Sequence, residues 1–373
     1  MRGRYVIAGI GHTAYGKTPG RTPLSLCVES VREALKDAGL DKSDVDGVFA
    51  KDPSSAHGTL FAQTVSDALG LQPRVGVVVD QGGASMATMV GMAAQAIDAG
   101  QCNVAVVVMG DTPRTGSRPY DREWGHDAAF GWSGIVAGYA MLARRHMELF
   151  GTTSEQLGSI ASTIRGYGAA NSDAQLRLPL TVADYLDSQF VVDPLRRDDC
   201  CLISDGGAAM VVMSRERAKQ LQVHGAVPIL GFGQGHTSQS VEQRIKMTRT
   251  MAEASAKTAY SMAGVSPSDI DVAQIYDCFT ITALVTLESY GFCREGEGGE
   301  FCASGALELD GSLPMNTSGG LLAETGMPGG QMIVEAVRQL RGTSSNQANK
   351  VDKVIVSGQG GVMHTHSTLI LGA

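Results

Sequence analysis

Apolar positions along the chain fall into two kinds of stretch, short β-branched runs and longer segments at helical spacing, and the two alternate. Tyr5-Val-Ile-Ala-Gly-Ile-Gly-His12 reads as a strand that ends in glycines. From Leu24 to Ala38, Cys27, Val28, Val31, Leu35 and Ala38 recur at helical spacing and Gly39 follows, which predicts a helix. A short strand over 44–49, a helix over 60–69, a buried strand over 75–79, a helix over 86–99 and a strand over 104–109 come next. The 86–99 helix is apolar nearly all round and belongs inside the protein. Three apolar runs break abruptly. Val77-Val-Val-Asp80-Gln-Gly82-Gly83-Ala84-Ser85 and Val354-Ile-Val-Ser357-Gly-Gln-Gly360-Gly361 break into glycines, and Ile275-Tyr276-Asp277-Cys278-Phe279 breaks into ionisable side chains. Such breaks mark the ends of buried parallel strands, where backbone comes close to a ligand, and the three are expected to meet in one pocket.

The pattern then repeats. Val227-Pro-Ile-Leu-Gly231-Phe-Gly-Gln-Gly-His236 echoes the first strand, and a helix over 252–263 followed by Gly264-Val-Ser-Pro-Ser-Asp269 echoes the helix to Ala38 and its Gly39-Leu-Asp-Lys-Ser-Asp44 sequel. Asn316-Thr-Ser318-Gly319-Gly320, a helix over 331–340 and a strand over 351–356 mirror Asp80-Gln-Gly82-Gly83, the 86–99 helix and the 104–109 strand. Three echoes in the same order imply a duplicated α/β unit with a mostly parallel sheet and right-handed crossovers. The chain divides into an N-terminal half, 1–111, an inserted loop or lid segment, 112–223, and a C-terminal half, 224–373. The insertion carries Tyr120, Trp124, His126, Phe130 and Trp132, and so both tryptophans; it is a candidate layer for substrate specificity.

Composition narrows the function classes. With 373 residues, 43% of them hydrophobic, the chain has material for a large core. A net charge of −8 argues against a general nucleic-acid binder. The basic pairs Arg144-Arg145 and Arg196-Arg197 read as surface charge or as a seat for a phosphate-bearing cofactor tail. Seven cysteines are scattered without a Cys-x-x-Cys pair, so no zinc site is expected, and free thiols fit a reducing compartment. No run of 18 apolar residues and no apolar leader occurs, which predicts a soluble cytoplasmic protein without membrane contact.

The duplicated halves, the central helix entered through Gly82-Gly-Ala-Ser85, the Asn316-Thr-Ser-Gly-Gly320 turn and the Gly358-Gln-Gly-Gly361 loop together resemble the thiolase superfamily. Ile275-Tyr-Asp-Cys-Phe-Thr280, Asp199-Cys-Cys-Leu-Ile-Ser-Asp-Gly206, Glu335-Ala-Val-Arg-Gln-Leu-Arg341 and His364-Thr-His-Ser-Thr-Leu-Ile-Leu371 are more similar to its sterol-carrier-protein-type, lipid-transfer-like branch. The resemblance spans essentially the whole chain. It implies a five-layered α-β-α-β-α core, a homodimer, a small partner with a zinc ribbon and an OB fold, no cofactor held by this chain, and a substrate carried as a CoA thioester.

The departures from that family bear on the chemistry. Degradative members place a nucleophilic cysteine at the start of the central helix, where Gly83 stands here. Gly326 stands at or beside a family histidine, and the C-terminal acid/base cysteine is replaced within Ser357-Gly-Gln-Gly360. Members with a tyrosine at the position of Tyr276 resemble the retro-aldol enzymes of steroid side-chain breakdown, which deprotonate the 3-hydroxyl of a 3-hydroxyacyl-CoA and need no cysteine. A tyrosine has a reference pKa near 10 and transfers a proton when it has a suitable partner; the plainer reading of Tyr276 is a core side chain. Asp277 is a further catalytic candidate or an orienting group. His364 is favoured over His366 for the pocket, being nearer the glycines, and His12 and His236 read as turn residues. Ser85 and Cys278 are the alternative nucleophiles. Gly83, Ser85, Ser318, Gly319, Gly320, Gly360 and Gly361 are expected to line the substrate site, the glycines leaving space and donors for the thioester oxygen. Three readings remain: a carbon–carbon lyase on a CoA thioester, a thiolase or acyltransferase on a 3-oxoacyl-CoA with an unconventional nucleophile, and a non-catalytic acyl-CoA-binding scaffold.

Overall fold

The first strand, β1 (Tyr5–His12), meets the first helix, α1 (Pro23–Ala38), backbone against backbone. A Cβ on Gly9 or Gly11 would overlap the main chain of α1 at Ala34 and Ser30. The same contact recurs in the second half, where Gly231 and Gly233 of β8 (Val227–His236) lie on Ala259 and Ser255 of α8 (Ala252–Ala263). Both helices end on a left-handed glycine, Gly39 at φ 68° and Gly264 at φ 69°, and each is followed by one 3-10 turn, Lys42–Asp44 and Pro267–Asp269. The sequence echo is therefore a repeated unit of structure. The computed structural model describes residues 2–116, 129–132, 134–238 and 241–373; Tyr120, Trp124 and His126 lie outside the described residues.

The first half continues through β2 (Gly47–Ala50), α2 (Phe61–Leu69), β3 (Val75–Val78), α3 (Ser85–Asp98) and β4 (Val104–Asp111). A helical excursion follows, with α4 (Gly134–Phe150), α5 (Ser154–Ala170), α6 (Val182–Asp187) and the short pair β5 (Phe190–Val192) and β6 (Leu195–Arg196). The chain then returns as β7 (Gly206–Ser214) and α7 (Arg215–Gln220). The second half adds β9 (Val272–Gln274), α9 (Thr280–Tyr290), α10 (Gly298–Ala303), α11 (Gly330–Arg341), β10 (Lys353–Gly360) and β11 (Thr365–Gly372).

Nine strands form one hydrogen-bonded array in the order β3-β2-β4-β7-β1-β8-β11-β10-β9. Its two parts join where β1 pairs with β8 over three residues, Tyr5 to Ile7. Each half has the same plan, and Met315 bridges Ala273 in the place that β3 holds in the first half. The expectation of a mostly parallel sheet is corrected. β2 is parallel to β3 and β4, and β9 to β10, but β7 and β11 each slot in antiparallel to both neighbours. The inserted segment is also shorter than 112–223. Gly206–Ser214 is buried along nearly its whole length and sits between β4 and β1, so it belongs to the first half's sheet.

α1 and α2 cover the outer face of the first sheet, and α8 the outer face of the second. α3 and α11 lie between the two, touching strands of both halves and each other. That is the five-layered arrangement, and it explains why α3 is apolar all round: Met86, Met89, Val90, Ala93 and Ala94 are all buried. Among the described residues no helix is long and apolar enough to cross a membrane.

The glycine contacts give a direct test. Gly231→Ala forces a methyl into the α8 main chain and is expected to lower stability by about 1–3 kcal/mol. Gly166→Ala in α5, where a Cβ meets nothing within 4 Å, is expected to be neutral or stabilising. Urea unfolding of both variants measures the contrast.

Candidate active site

Residues 275–279 leave β9 and run into the start of α9, held on every side by polar groups. The Asn316 side chain, at a left-handed φ of 56°, accepts from the Ile275 amide at 2.7 Å and donates back to the Ile275 carbonyl at 2.8 Å. The Tyr276 amide donates to Ser357 Oγ at 2.8 Å. Cys201 donates its amide to the Cys278 carbonyl at 2.9 Å. Asp199 accepts from the Thr280 hydroxyl, from the Tyr185 hydroxyl at 2.8 Å and from the Arg196 amide at 2.6 Å. The Asp199–Gly206 motif is thus the clamp that ties the inserted segment to the base of α9.

These bonds aim the Tyr276 ring at the N-terminus of α3. A Cβ on Gly83 would overlap both the ring and the hydroxyl of Tyr276, and one on Gly329 would lie 3.6 Å from the ring edge. The ring therefore fills the space that a side chain at position 83 would need. The other glycines serve backbone approach. A Cβ on Gly358 would come within 2.9 Å of the Gly83 carbonyl, one on Gly82 within 2.9 Å of Gly360 Cα, and one on Gly360 would overlap the Gln81 carbonyl. The turn 81–84 thus crosses the strand end 358–361 with no side chain between them. The expected open space at Gly83 and Gly360 is corrected: it is filled by an aromatic ring and by main chain. Gly329, which also touches the Gly83 carbonyl, leads into α11. Gly320 begins a separate π-helical turn, Gly320–Glu324, so the counterpart of Gly83 at the second central helix is Gly329.

Asp277 points away from this crossing. Its carboxylate accepts from the amides of Leu321 at 2.8 Å and Leu322 at 3.3 Å, and Gly320 is glycine because a Cβ would overlap that carboxylate. Burial raises the Asp277 pKa to about 7, partly offset by those bonds. Ser318 donates to Glu324 at 2.6 Å, and burial pushes Glu324 up to about 8. A Cβ on Gly319 would approach Gly168 Cα of α5 at 2.9 Å. Ser318, Gly319, Gly320 and Asp277 therefore form a buried turn behind Tyr276 rather than a wall facing it. Ser85 is fully buried and committed to its own turn, donating to the Gly82 carbonyl and accepting from the Gln81 amide, both at 2.8 Å. A Cβ on Gly326 would overlap the Leu202 carbonyl, and the Gly326 amide donates to Ser204 Oγ at 2.9 Å.

Three residues that the spacing did not single out, or weighed otherwise, join the site. Tyr139, carried in by α4, stacks on Phe279 at 4.4 Å and donates to the Gly361 carbonyl at 2.6 Å. Gln359 donates to the Tyr139 hydroxyl and to Cys278 Sγ, each at 3.1 Å. Cys278 sits at a bend and turns to Gln359 and Tyr139. His364 packs on Gly361, receives Arg244 at Nδ1 over 2.7 Å and is half-buried, while His366 is fully buried. His12 lies 2.8 Å from Arg338, and His236 2.7 Å from the Thr365 hydroxyl. Burial raises every thiol in the chain, Cys278 and Cys102 to about 11 and Cys200 and Cys293 to about 12, so none is an activated thiolate. Among the described residues no cluster of His, Cys, Asp and Glu is arranged to hold a metal ion.

Residues 233–373 match the family described as thiolase C-terminal domain-like. A steroid side-chain-cleaving aldolase of Thermomonospora curvata is 38% identical, with 100% of this chain and 99% of the relative covered. A 17-hydroxy-3-oxo-4-pregnene-20-carboxyl-CoA lyase of Mycobacterium tuberculosis is 36% identical, with both chains covered in full. The solved structure of an Ltp2-ChsH2(DUF35) aldolase superposes with a TM-score of 0.91 at 37% identity, covering 100% of this chain and 98% of that one.

Two outcomes test the geometry. Gly83→Ala is expected to lose about 1–3 kcal/mol by displacing the ring, and Tyr276→Ala in the same molecule should remove most of that penalty, as a double-mutant cycle by urea unfolding would measure. Glu324 keeps a proton in the folded state that the unfolded chain releases near its ordinary value of 4.5, so its contribution is lost as pH rises through about 8. Between about pH 4.5 and 8 this group should make the melting temperature fall, the slope vanishing above that, and the fall should be less steep in Glu324→Gln.

Proposed function

The chain belongs to the thiolase superfamily, in the branch that holds the steroid side-chain-cleaving aldolases, and from that premise we propose that it cleaves a 3-hydroxyacyl-CoA by a retro-aldol step without a cysteine nucleophile. The observation that carries this reading is the Tyr276 hydroxyl occupying the position in front of α3 where a nucleophilic side chain would otherwise stand. In the ionised form Tyr276 takes the proton of the 3-hydroxyl. The C2–C3 bond breaks, C3 becomes a ketone or aldehyde carbonyl, and the electron pair passes through C2 to the thioester oxygen as an enolate. Return of the proton to C2 gives the shortened acyl-CoA and restores the tyrosinate, so no oxidant, water or free CoA is consumed. The positive end of α3 lies beside the reacting atoms and favours the developing enolate.

Thiolysis needs a thiolate, and the raised pKa of all seven thiols supports the lyase over an acyl-enzyme route. His364 is placed beside Gly361 at the rim of the crossing, where it can meet the thioester; Asp277 acts through position, holding the turn behind the tyrosine. The solved relative's description joins its aldolase to a DUF35 protein, and a small zinc-ribbon and OB-fold partner is proposed here too. The unpaired edge of β3, with Val78 41% exposed, supports a homodimer through the core.

Incubation of the chain and its partner with 3-hydroxyacyl-CoA esters is expected to release a ketone or aldehyde with no uptake of free CoA. Tyr276→Phe should lower kcat by at least about a thousandfold, in line with loss of an essential proton-transfer group. A requirement for CoA, a covalent acyl adduct in the mass spectrum, or unchanged turnover of the phenylalanine variant would overturn the reading.

A further inference from the structure

Five polar side chains, Arg244, His364, Gln359, His366 and Tyr139, gather around the loop 360–364. Arg244 donates through Nη2 to the Val362 carbonyl and lies 2.7 Å from His364 Nδ1. Gln359 and His366 stand directly opposite each other across the β10–β11 pair and so project from one face. Gln359 reaches the Tyr139 hydroxyl, and both Tyr139 and His366 sense the Arg244 charge. Gln359 is 2% and His366 0% exposed. Yet Arg244 Nε and Nη1, both His366 ring nitrogens and Gln359 Oε1 are buried with no hydrogen-bond partner among the described residues.

The imbalance has a sign. Arg244 Nε and Nη1 carry three N–H groups between them, and a neutral His366 adds a fourth. The unpartnered acceptors are one amide oxygen and one bare imidazole nitrogen. Donors are in surplus, and they come with a positive charge whose contacts among the described residues, a carbonyl and an imidazole, are not anions. A buried guanidinium is costly unless an anion accompanies it. Arg244 is also half-buried rather than sealed, so the cluster is reachable from its side.

We propose that Arg244, with His366 and Gln359 as its walls, is a subsite for a carboxylate. Arg244 supplies the charge and the N–H groups, His366 adds a donor or turns its N–H to Gln359 Oε1, and the carboxylate oxygens take the surplus. The ligand is either a carboxylate carried on the acyl chain of the substrate or a free small carboxylate. The first of these rests on the acyl-CoA reading given above; the second does not.

The test is binding, so that it fails or succeeds apart from turnover. Thermal melting of the full chain is followed against sodium acetate and equimolar sodium chloride, for wild type, Arg244→Gln and Arg244→Lys. Acetate is expected to raise the melting temperature of wild type beyond chloride, to keep much of that effect in the lysine variant, and to lose it in the glutamine variant. Calorimetric titration then compares glutaryl-CoA with valeryl-CoA, which match in chain length but differ in the terminal carboxylate. Tighter binding of glutaryl-CoA, by about tenfold to a hundredfold in wild type and abolished in Arg244→Gln, identifies the acyl chain as the source. An acetate effect without that preference identifies a free carboxylate. No acetate effect in wild type together with equal binding of the two esters overturns the subsite, whether or not the variants fold.

Discussion

The main chain of residues 81–84 lies directly on that of 358–361, and the site depends on this contact. Each segment ends a strand of a different half, so the crossing is one of the places where the two halves of the duplication meet. It requires glycine at 82, 358 and 360, because a Cβ at any of them would press into the opposing backbone. The crossing sets the starting point of α3, brings Gly329 and α11 against the Gly83 carbonyl, and leaves one gap, which the Tyr276 ring enters. Mobility there would be transmitted to both central helices, since both begin within a residue or two of it. Close backbone contact makes the floor of the site rigid without large side chains, which is a suitable base for a hydroxyl that must be held in one place.

A second framework of buried polar groups holds the tyrosine from behind. Asn316 clamps Ile275 from both sides, Ser357 takes the Tyr276 amide, Asp277 collects the amides of the 320–324 turn, and Asp199 secures Thr280. Such groups are stable inside only when their hydrogen bonds are made. Here they are made largely between segments far apart in sequence. The cost appears in the acids: burial raises Asp277, Glu324 and Glu335 together, so this region behind the site favours protonated carboxyls. The inserted segment contributes to the same framework through Asp199, Cys201 and Ser204, and to the front of the site through Tyr139. It is therefore part of the framework that holds the Tyr276 region.

Much of the fold was legible because glycine spacing carries it. Gly9 and Gly11 recur as Gly231 and Gly233, and Gly39 recurs as Gly264, since the same helix-on-strand contact excludes a Cβ in both halves. Strand direction was not legible. β7 and β11 are buried on both faces and read as apolar runs like their parallel neighbours, so nothing in their pattern marks them as antiparallel. At the site, the break at Gly83 was visible as a missing nucleophile, and Tyr276 as the ionisable residue after a strand. That one fills the other's space is a long-range fact with no local signal. Tyr139 was hidden for the same reason. The two histidines were separated only by nearness to the glycines, whereas burial of the β11 face decides that His366 is the interior one.

Glycine at position 83 is more than the absence of one reactive group. A thiolate at the start of α3 needs free volume in front of Gly83 for the acyl carbon it attacks and for the adduct that follows. The Tyr276 ring takes that volume, and it is held there by a main-chain bond to Ser357 and by the Asn316 clamp on the preceding residue. A cysteine restored at position 83 would have to displace the ring, and moving the ring would strain both anchors. Nucleophile and tyrosine are therefore mutually exclusive occupants of one space. Proton transfer needs only a hydroxyl at hydrogen-bond reach of the substrate, whereas acyl transfer needs a covalent bond and room to form it. A position filled by the Tyr276 ring leaves no room for a side chain at residue 83, so steric exclusion, as much as side-chain chemistry, favours the proposed retro-aldol step over acyl transfer.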